Sequence, residues 1–193
     1  MKTKTCFETI KVENGKLLNL EYHQKRVDYT REKLFTCKEI LDLKKEIKKY
    51  PKEGVYRLRV DYDKEIKSLT CKEYRPRSLC SFKVVEANID YEYKYSNREE
   101  LNKLLDENYD DIVILKNGFL SDTSIANIAL KIDGIWLTPK TPLLHGTTRE
   151  RLLAEGFLKC DNLSIKDLEK SEKFAIMNAL VGFKIIKNLR IDI

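Results

Sequence analysis

The chain of 193 residues has few residues that interrupt regular structure and no long apolar run. It contains four prolines and seven glycines, and the glycines are scattered, so neither a G-x-G-x-x-G motif nor a P-loop occurs. This excludes the common nucleotide-binding loops. No segment approaches the ~20 apolar residues that span a bilayer, and the first residues, MKTKTCFETI, lack the apolar stretch of a signal peptide. We therefore expect a globular cytoplasmic protein that does not enter a membrane.

Histidine is also scarce, and the cysteines show no metal-binding or redox spacing. The two histidines, His23 and His145, have no further metal ligand three or four residues later, and no G-x-S-x-G elbow is present. These absences argue against a metal site and against a serine hydrolase. The five cysteines are odd in number and include no C-x-x-C pair, so we expect reduced thiols.

Charge is abundant but mixed in sign. Charged residues make up 35% of the chain and its net charge is +6, with Lys and Glu interleaved, for example over residues 38–53. Because no basic stripe with interleaved aromatics emerges, the pattern argues against a nucleic-acid binder. The excess of positive charge instead favours a small anionic substrate.

Turn signals and alternating segments predict a mixed α and β protein. Asn14-Gly15, Asn117-Gly118 and Asp133-Gly134 each lie between short apolar segments and predict hairpins. The expected strands cover residues 6–12 with 16–18, 112–115 with a short arm at 119, and 128–132 with 135–138. Residues 54–63 alternate between arginines and apolar side chains, which predicts another strand. Residues 82–87 and a final strand pair from residue 174 complete this set.

The helices are predicted from apolar spacing and from capping residues. Asn19 is a plausible N-cap for a helix ending near Phe35, and Ile40, Leu43 and Ile47 predict a second helix that ends before Pro51. Further helices are expected over residues 97–107, after Gly146 and over 164–171. The proline-containing segment 74–78 interrupts the pattern. We place a lobe boundary there, giving an N-terminal α+β lobe, residues 1–77, and a C-terminal lobe, 78–193.

Three features could carry chemistry. Gly146, Thr147 and Thr148 begin a predicted helix, and unpaired N–H groups at a helix start attract phosphate, although every capped helix has such a start. Asp122 and Asn127 flank a polar turn and could hold a protonated ring nitrogen, or they could be plain turn residues. Lys94 alternates with tyrosines in YEYKY, where a desolvated amine would become a nucleophile and a solvated strand lysine would not.

Taken in order, several stretches resemble one family. FETIKVENGKLLNLEYHQKR, YKYSNR, NGFLSDTSIANIAL with WLTP, LLHGTTR and MNALVG are similar to the class IV aminotransferases, which include branched-chain and D-amino-acid aminotransferases and aminodeoxychorismate lyases. The resemblance spans nearly the whole chain. It implies a two-lobed α+β architecture, the pyridoxal-phosphate fold type IV of D-amino-acid aminotransferase, in a compact version. It also implies pyridoxal 5'-phosphate as cofactor and a homodimer.

The resemblance assigns cofactor roles residue by residue. Lys94 matches the lysine that forms the imine and then acts as general base, and Arg26 matches the arginine that grips the cofactor phosphate. Asp122 takes the place of the glutamate that pairs with the pyridine nitrogen. The other matches, which hold the phosphate, the carboxylate or a nearby loop, are Asn127, Gly146, Thr147, Thr148 and Asn178.

Within the family the chain looks most like the aminodeoxychorismate-lyase branch, which converts 4-amino-4-deoxychorismate into 4-aminobenzoate and pyruvate for folate biosynthesis. This implies Thr9 as proton donor to the leaving enolate and Arg59 and Arg98 for the substrate carboxylates. The alternatives are an amino-acid aminotransferase of the branched-chain or D-amino-acid type, and a noncatalytic protein that kept the fold.

The chain also departs from the family pattern. Asp122 is one methylene shorter than the usual glutamate, no tyrosine follows Lys94 by five residues, and the arginine-glycine loop of better-known lyases is not evident. The sequence starts at the FET segment, without the strands that precede it in larger relatives. One wall of the pocket would then be absent or supplied by a partner subunit.

Overall fold

The computed structural model describes residues 4–193 and shows two compact units. The first comprises Met1–Pro76 with Tyr93–Asn97, and the second comprises Arg77–Glu92 with Arg98–Ile193. The division into two lobes, residues 1–77 and 78–193, stays a prediction. The segment containing Lys94 packs with the first unit rather than with the second, because Tyr95 forms a β-bridge with Cys6. Residues 1–3 of the predicted first lobe lie outside the described residues.

The first unit combines an antiparallel sheet with two helices. Its elements are β1 (Cys6–Glu13), β2 (Lys16–Leu17), α1 (Leu20–Phe35), α2 (Leu43–Glu46), β3 (Val55–Tyr62) and β4 (Ile66–Glu73). The strands lie in the order β2-β1-β3-β4. The first hairpin is confirmed, because Asn14 and Gly15 adopt φ angles of 47° and 74°. The strand β4 had not been predicted.

The two helices of this unit show where sequence patterning succeeds and where it fails. The helix α1 is confirmed, although Asn19 adopts a left-handed conformation and makes no side-chain cap. The helix α2 is much shorter than predicted, and Ile40 is 94% exposed. The prediction of Ile40 on its apolar face is therefore wrong. The reason is that the Asp42 side chain accepts hydrogen bonds from Lys44 and Lys45, so the helix begins after Ile40.

The core of the first unit lies on one face of the sheet. Alternate residues of β1 and β3 point to that face, as the alternation of residues 54–63 predicts. Apolar residues of both helices pack there as well. The fully or nearly fully buried members are Cys6, Ile10, Val12, Val27, Leu43, Ile47, Leu58, Val60 and Tyr62.

The second unit is built on a larger mixed sheet. Its strands are β5 (Ser81–Glu86), β6 (Asp111–Lys116), β7 (Phe119–Thr123), β8 (Asn127–Ile132), β9 (Ile135–Pro139), β10 (Lys159–Asp161), β11 (Lys173–Asn178), β12 (Gly182–Ile185) and β13 (Arg190–Asp192). The order is β10-β9-β8-β7-β6-β5-β13, with β11 pairing with both β8 and β12. Its helices are α3 (Glu99–Asn102), α4 (Thr147–Ala154) and α5 (Ile165–Lys170).

Most predictions for this unit are confirmed. Both hairpins have the required positive φ angles. The helix α4 begins directly after Gly146, as predicted, without a side-chain cap, and α5 begins after Ser164, which forms a capping box. The helix predicted over residues 97–107 is wrong in length, since α3 ends at Asn102. After it, the Asp106 side chain accepts from the Asn108 N–H and holds a turn that competes with helix continuation.

The helices and the cysteines can be compared with the expectations of no membrane span and of reduced thiols. Among residues 4–193, no helix is both long and apolar enough to cross a bilayer. All five cysteines lie in this range as free thiols.

The core of the second unit yields a stability prediction. Phe174 is 1% exposed, and its ring centroid lies 5.3 Å from that of the fully buried Phe82. We expect Phe174→Ala to lower the free energy of unfolding by about 3 to 5 kcal/mol, because it leaves a cavity in the core. Phe119→Ala is the control, since Phe119 is 41% exposed. Denaturant unfolding measures both, and equal losses would contradict this description of the core.

Candidate active site

A buried carboxylate marks the inner face of the first sheet. Alternation along β1 directs Glu8 inward between Cys6 and Ile10, and Glu8 is completely buried. His23 and Arg26 lie three residues apart on α1 and therefore share one helix face. His23 Nδ1 lies 2.6 Å from Glu8 Oε2. Arg26 donates from Nε to Oε1 at 2.8 Å and from Nη2 to Oε2 at 2.6 Å.

The charges of this cluster follow from its partners. Burial alone would raise the pKa of Glu8, but the charge of Arg26 and the hydrogen bonds from His23 and Arg26 outweigh it and lower the pKa to about 2. Burial lowers the pKa of His23 despite its hydrogen bond to Glu8. Glu8 is therefore ionised, His23 is neutral at pH 7, and Arg26 is the cation that balances the carboxylate. The structure thus places Arg26, predicted to bind phosphate, in a two-pronged pair with Glu8.

The opposite face of the same sheet brings three other predicted residues into one region. The guanidinium carbon of Arg59 lies 3.8 Å from the centroid of the Phe7 ring, and Lys94 Nζ lies 4.7 Å from the same centroid. Thr9 is the direct cross-strand partner of Arg59, so their side chains share this face. Arg59 also forms a two-pronged pair with Asp61, at 2.8 and 2.6 Å.

Lys94 reaches this face from an irregular segment. Lys94 lies outside the named strands, and its segment pairs with β1 by an isolated bridge at Tyr95. The Lys94 carbonyl accepts the Phe7 N–H at 2.9 Å. Tyr93 and Tyr95 pack against the inner core. Alternation then turns Lys94 to the Phe7 face.

A second buried carboxylate lies in the second unit. Asp122 is the penultimate residue of β7 and is paired in register with Asn127, the first residue of β8. Its Oδ1 accepts from Asn127 Nδ2 at 2.8 Å, and its Oδ2 accepts from the Leu144 N–H at 2.9 Å. The Asn127 amide also donates to the Leu144 carbonyl at 2.8 Å. The predicted pair is thus brought together and fixed to the segment that precedes α4.

The surroundings of Asp122 hold its proton more tightly than water does. Burial raises its pKa from 3.8 to about 6, and the hydrogen bonds from Asn127 and Leu144 and the charge of Arg149 oppose this rise only in part. Asp122 therefore has neutral donors in contact, and within residues 4–193 no cation forms a salt bridge with it as Arg26 does with Glu8. The ionised form of such a carboxylate is stabilised most by a partner that carries positive charge, such as a protonated ring nitrogen.

The start of α4 offers donors for an anion. The N-cap Gly146 makes no side-chain hydrogen bond, so the first N–H groups of the helix have no partner from its cap. Thr147 and Thr148 are 3% and 1% exposed. Thr148 Oγ1 is buried without a hydrogen-bond partner among the described residues. A phosphate group fits this donor set, since it would accept from both N–H and hydroxyl groups.

Gly146 is required at this start for a reason that spacing did not reveal. A Cβ added to Gly146 would lie 1.9 Å from Asn127 Oδ1. The absence of a side chain therefore allows α4 to approach the Asp122–Asn127 pair. This contact ties the anion-binding helix start to the buried carboxylate within the same unit.

The remaining predicted residues hold the turn between β7 and β8. Asn178 donates to the Ile125 carbonyl at 3.2 Å and accepts from the N–H groups of Leu180 and Val181. Arg98 donates from Nη2 to the Ser124 carbonyl at 2.6 Å. The structure thus shows Asn178 and Arg98 bound to the backbone of one turn, and the predicted role of Arg98 in substrate binding remains a prediction.

Some contributors were missed by sequence reasoning. Glu8 had a usable signal, since it is a charged residue at an inward position of an alternating strand and must be paired. Asp61 also had a signal, since it follows Arg59 by two residues on one strand and therefore points to the same face. Leu144 had none, because its backbone N–H reaches Asp122 across 22 residues. Phe7 appeared to be an ordinary apolar strand residue.

Comparison with known proteins shows the family of this chain. The family model for class IV amino-transferases matches residues 5–189. The chain belongs to the class IV aminotransferase family. Members of this family are pyridoxal-phosphate enzymes of fold type IV, so the predicted family, fold class and enzymatic nature are confirmed.

Three relatives illustrate the similarity. A candidate 4-amino-4-deoxychorismate lyase from Haemophilus somnus is 34% identical with a TM-score of 0.86, matched over 94% of this chain and 99% of that one. An uncharacterised protein of Haemophilus influenzae is 34% identical over 187 residues, which cover 91% of this chain and 97% of that protein. A candidate amino-acid aminotransferase from Mesorhizobium loti is 20% identical with a TM-score of 0.81, over 96% and 99% of the two chains, and shows the shared fold.

The burial of Asp122 predicts its titration. In the cofactor-free protein we expect the Asp122 carboxyl carbon to titrate near pH 6, as measured by ¹³C NMR. Because this pKa lies above the ordinary 3.8, the stabilisation linked to the proton is complete below pH 3.8 and is lost as the pH rises through about 6. A midpoint at or below 4 would contradict the described environment.

The close approach at Gly146 predicts the effect of a single methyl group. Gly146→Ala should displace Asn127 and remove one donor from Asp122, which raises the Asp122 pKa further and destabilises the unit by about 1 to 3 kcal/mol. Gly134→Ala is the control, because its Cβ would meet nothing within 4 Å although its φ is 75°. It should destabilise the protein without moving the Asp122 titration. If the Asp122 pKa were unchanged in Gly146→Ala, the close approach of Gly146 to Asn127 would not control the environment of Asp122.

Proposed function

We propose that this protein is a pyridoxal-phosphate-dependent lyase that converts 4-amino-4-deoxychorismate into 4-aminobenzoate and pyruvate. The observation that carries the choice of reaction is the similarity to the Haemophilus somnus protein, described as a candidate lyase of this kind, at 34% identity over 94% of the chain. The donor sets around Asp122 and at the start of α4 support the cofactor. The positive net charge favours the anionic substrate.

Each cofactor group has matching residues in this proposal. The phosphate would be bound by Arg26, by the first N–H groups of α4 and by the hydroxyls of Thr147 and Thr148. Among these, Thr148 Oγ1 is a buried donor. Asp122, oriented by Asn127, would hold the proton of the pyridine nitrogen. When bound, pyridoxal phosphate supplies an electron sink for bonds broken at the substrate.

Lys94 and Thr9 would move protons in this reaction. Lys94 Nζ is the attachment point for the cofactor, and its amine would take and return the substrate proton. Thr9 lies on the same sheet face, and its hydroxyl would donate the proton that the leaving enolate needs to become pyruvate. Arg59 would bind a substrate carboxylate while its fork remains paired with Asp61. Arg98 is the second residue proposed for this role.

Amino-acid transamination is the alternative, because it needs the same cofactor residues and differs in the step that follows proton removal. The deciding assay supplies the purified protein with 4-amino-4-deoxychorismate and follows pyruvate. In parallel it supplies common amino acids with 2-oxoglutarate and follows amino-group transfer. Pyruvate release without transfer supports the lyase. Transfer alone overturns it, and neither product at any cofactor concentration indicates a noncatalytic protein.

The cofactor assignment predicts a covalent product at one lysine. Protein incubated with pyridoxal phosphate should turn yellow, and borohydride should fix the cofactor onto Lys94, as peptide mass spectrometry would show. Lys94→Ala should abolish this modification, whereas Lys11→Ala, a change on the same strand face as Phe7, should leave it intact. A colourless protein, or fixation at another lysine in wild type, would contradict the assignment.

The role of Thr9 predicts a rate effect without a cofactor effect. Thr9→Val should lower the rate of pyruvate release about 100-fold, because the donor of the enolate proton is lost, and Thr9→Ser should restore most of it. The affinity for pyridoxal phosphate should stay within about twofold, since Thr9 has no role in cofactor binding here. A loss of affinity equal to the loss of rate would assign Thr9 a structural role instead.

Assembly and location remain predictions. We expect a homodimer, which light scattering would detect, and a cytoplasmic location, which fractionation of the source cells would test.

A further inference from the structure

The cluster of Glu8, His23 and Arg26 contains a carboxylate to which the proposed reaction gives no part. Glu8 lies on the inner face of the first sheet, opposite the face that Lys94 and Thr9 share, and its exposed fraction is 0%. Even so, it accepts hydrogen bonds from two nitrogen atoms of Arg26 and lies against His23. A completely buried charge of this kind requires compensation by its neighbours.

The geometry fixes the orientation of Arg26. A guanidinium group is planar, and its five N–H bonds diverge in a rigid fork. Because Nε and Nη2 both donate to Glu8, at 2.8 and 2.6 Å, the plane of the group and the direction of its Nη1 edge are set. The Arg26 side chain is 12% exposed, so it can still reach a ligand.

We propose that Glu8 is a positioning residue, which holds the Arg26 guanidinium in the orientation that binds the phosphate of pyridoxal phosphate. This inference rests on the proposed function, in which Arg26 contributes to the phosphate site. Glu8 acts through Arg26 and does not touch the cofactor. His23 supports Glu8 from α1, one turn before Arg26.

A competing role for Glu8, as an internal anion that blocks the site until phosphate displaces it, is disfavoured by its burial. Displacement would leave Glu8 ionised and without a cation, and separating a buried ion pair is strongly destabilising. His23 could not replace Arg26, because burial lowers the pKa of His23 and keeps it neutral. The pair therefore stays together when an anion binds.

The test compares two ligands that differ in the phosphate. Pyridoxal has the same ring and aldehyde as pyridoxal phosphate, so the ratio of their dissociation constants isolates the contribution of the phosphate site. We expect Glu8→Gln to weaken pyridoxal phosphate binding by about tenfold, because the fork of Arg26 is no longer held. Pyridoxal binding should change by less than about twofold. Equal weakening of both, or tighter binding of pyridoxal phosphate, would overturn the proposal.

A double-mutant cycle shows whether Glu8 acts through Arg26. Arg26→Gln should reduce the preference for the phosphorylated ligand at least as much as Glu8→Gln does, and adding Glu8→Gln to it should produce little further loss. Additive losses would overturn the proposal. Glu155→Gln is the matched control, since Glu155 receives two hydrogen bonds from Arg151 on the exposed side of α4. It should leave the ratio unchanged.

A measurement on the wild-type protein covers the case in which Glu8→Gln does not fold. The Arg26 Nε–H, held by Glu8, should give a slowly exchanging NMR signal in the cofactor-free protein and keep it when pyridoxal phosphate saturates the site. Loss of this protection on binding would show that the pair opens and would overturn the inference. If the wild-type protein binds no pyridoxal phosphate, the proposed function fails as well, which separates that outcome from a failure of Glu8 alone.

Discussion

A carboxylate cannot be buried without donors, and this constraint organises both units. In the first unit, Glu8 lies among the apolar residues of the sheet and requires α1 to present His23 and Arg26 on one face. In the second, Asp122 requires Asn127 and the Leu144 backbone. Each carboxylate thereby connects a strand to a separate segment of the chain.

Both carboxylates are buried, yet their pKa values move in opposite directions. Glu8 has a guanidinium in contact, and the pKa falls to about 2, whereas Asp122 has neutral donors in contact, and burial raises the pKa to about 6. The opposite pKa shifts show that the negative charge of Glu8 is already balanced inside the protein and that the charge of Asp122 is not. Glu8 is satisfied by Arg26, and Asp122 is left able to accept a cationic partner. In the proposed function, Glu8 therefore has a structural role and Asp122 binds the cofactor.

Local chemistry in the sequence predicted much of the fold. The hairpin at Asn14-Gly15 and the start of α5 at Ser164 depend on backbone preferences of a few adjacent residues, so their positions were predictable. The start of α2 was predicted wrongly from apolar spacing, because the Asp42 side chain sets its beginning and leaves Ile40 exposed. The cap at Asp42 is also a local signal, and apolar spacing alone overlooked it.

Some residues of the candidate site were predictable from the sequence and others were not. Asp122, Asn127 and the helix start at Gly146 follow from short motifs, and the structure brings them together within one unit. The pairing of Arg26 with Glu8 was not foreseen, because a side-chain partner between a strand and a helix leaves no periodic signal. The pairing of Arg59 with Asp61 was overlooked, although alternation puts residues two positions apart on one strand on the same face. The alternation of β1 contained a clue, since a charged residue at an inward position requires a partner.

The central claim is that this chain binds pyridoxal phosphate through a fixed set of phosphate donors. The most direct measurement is the ³¹P NMR spectrum of pyridoxal phosphate in the presence of excess protein, followed across the range near pH 6 in which free phosphate esters take up their second proton. We expect a separate bound resonance that does not move with pH, because the donors hold the dianion. A single resonance that titrates like that of the free cofactor would contradict it.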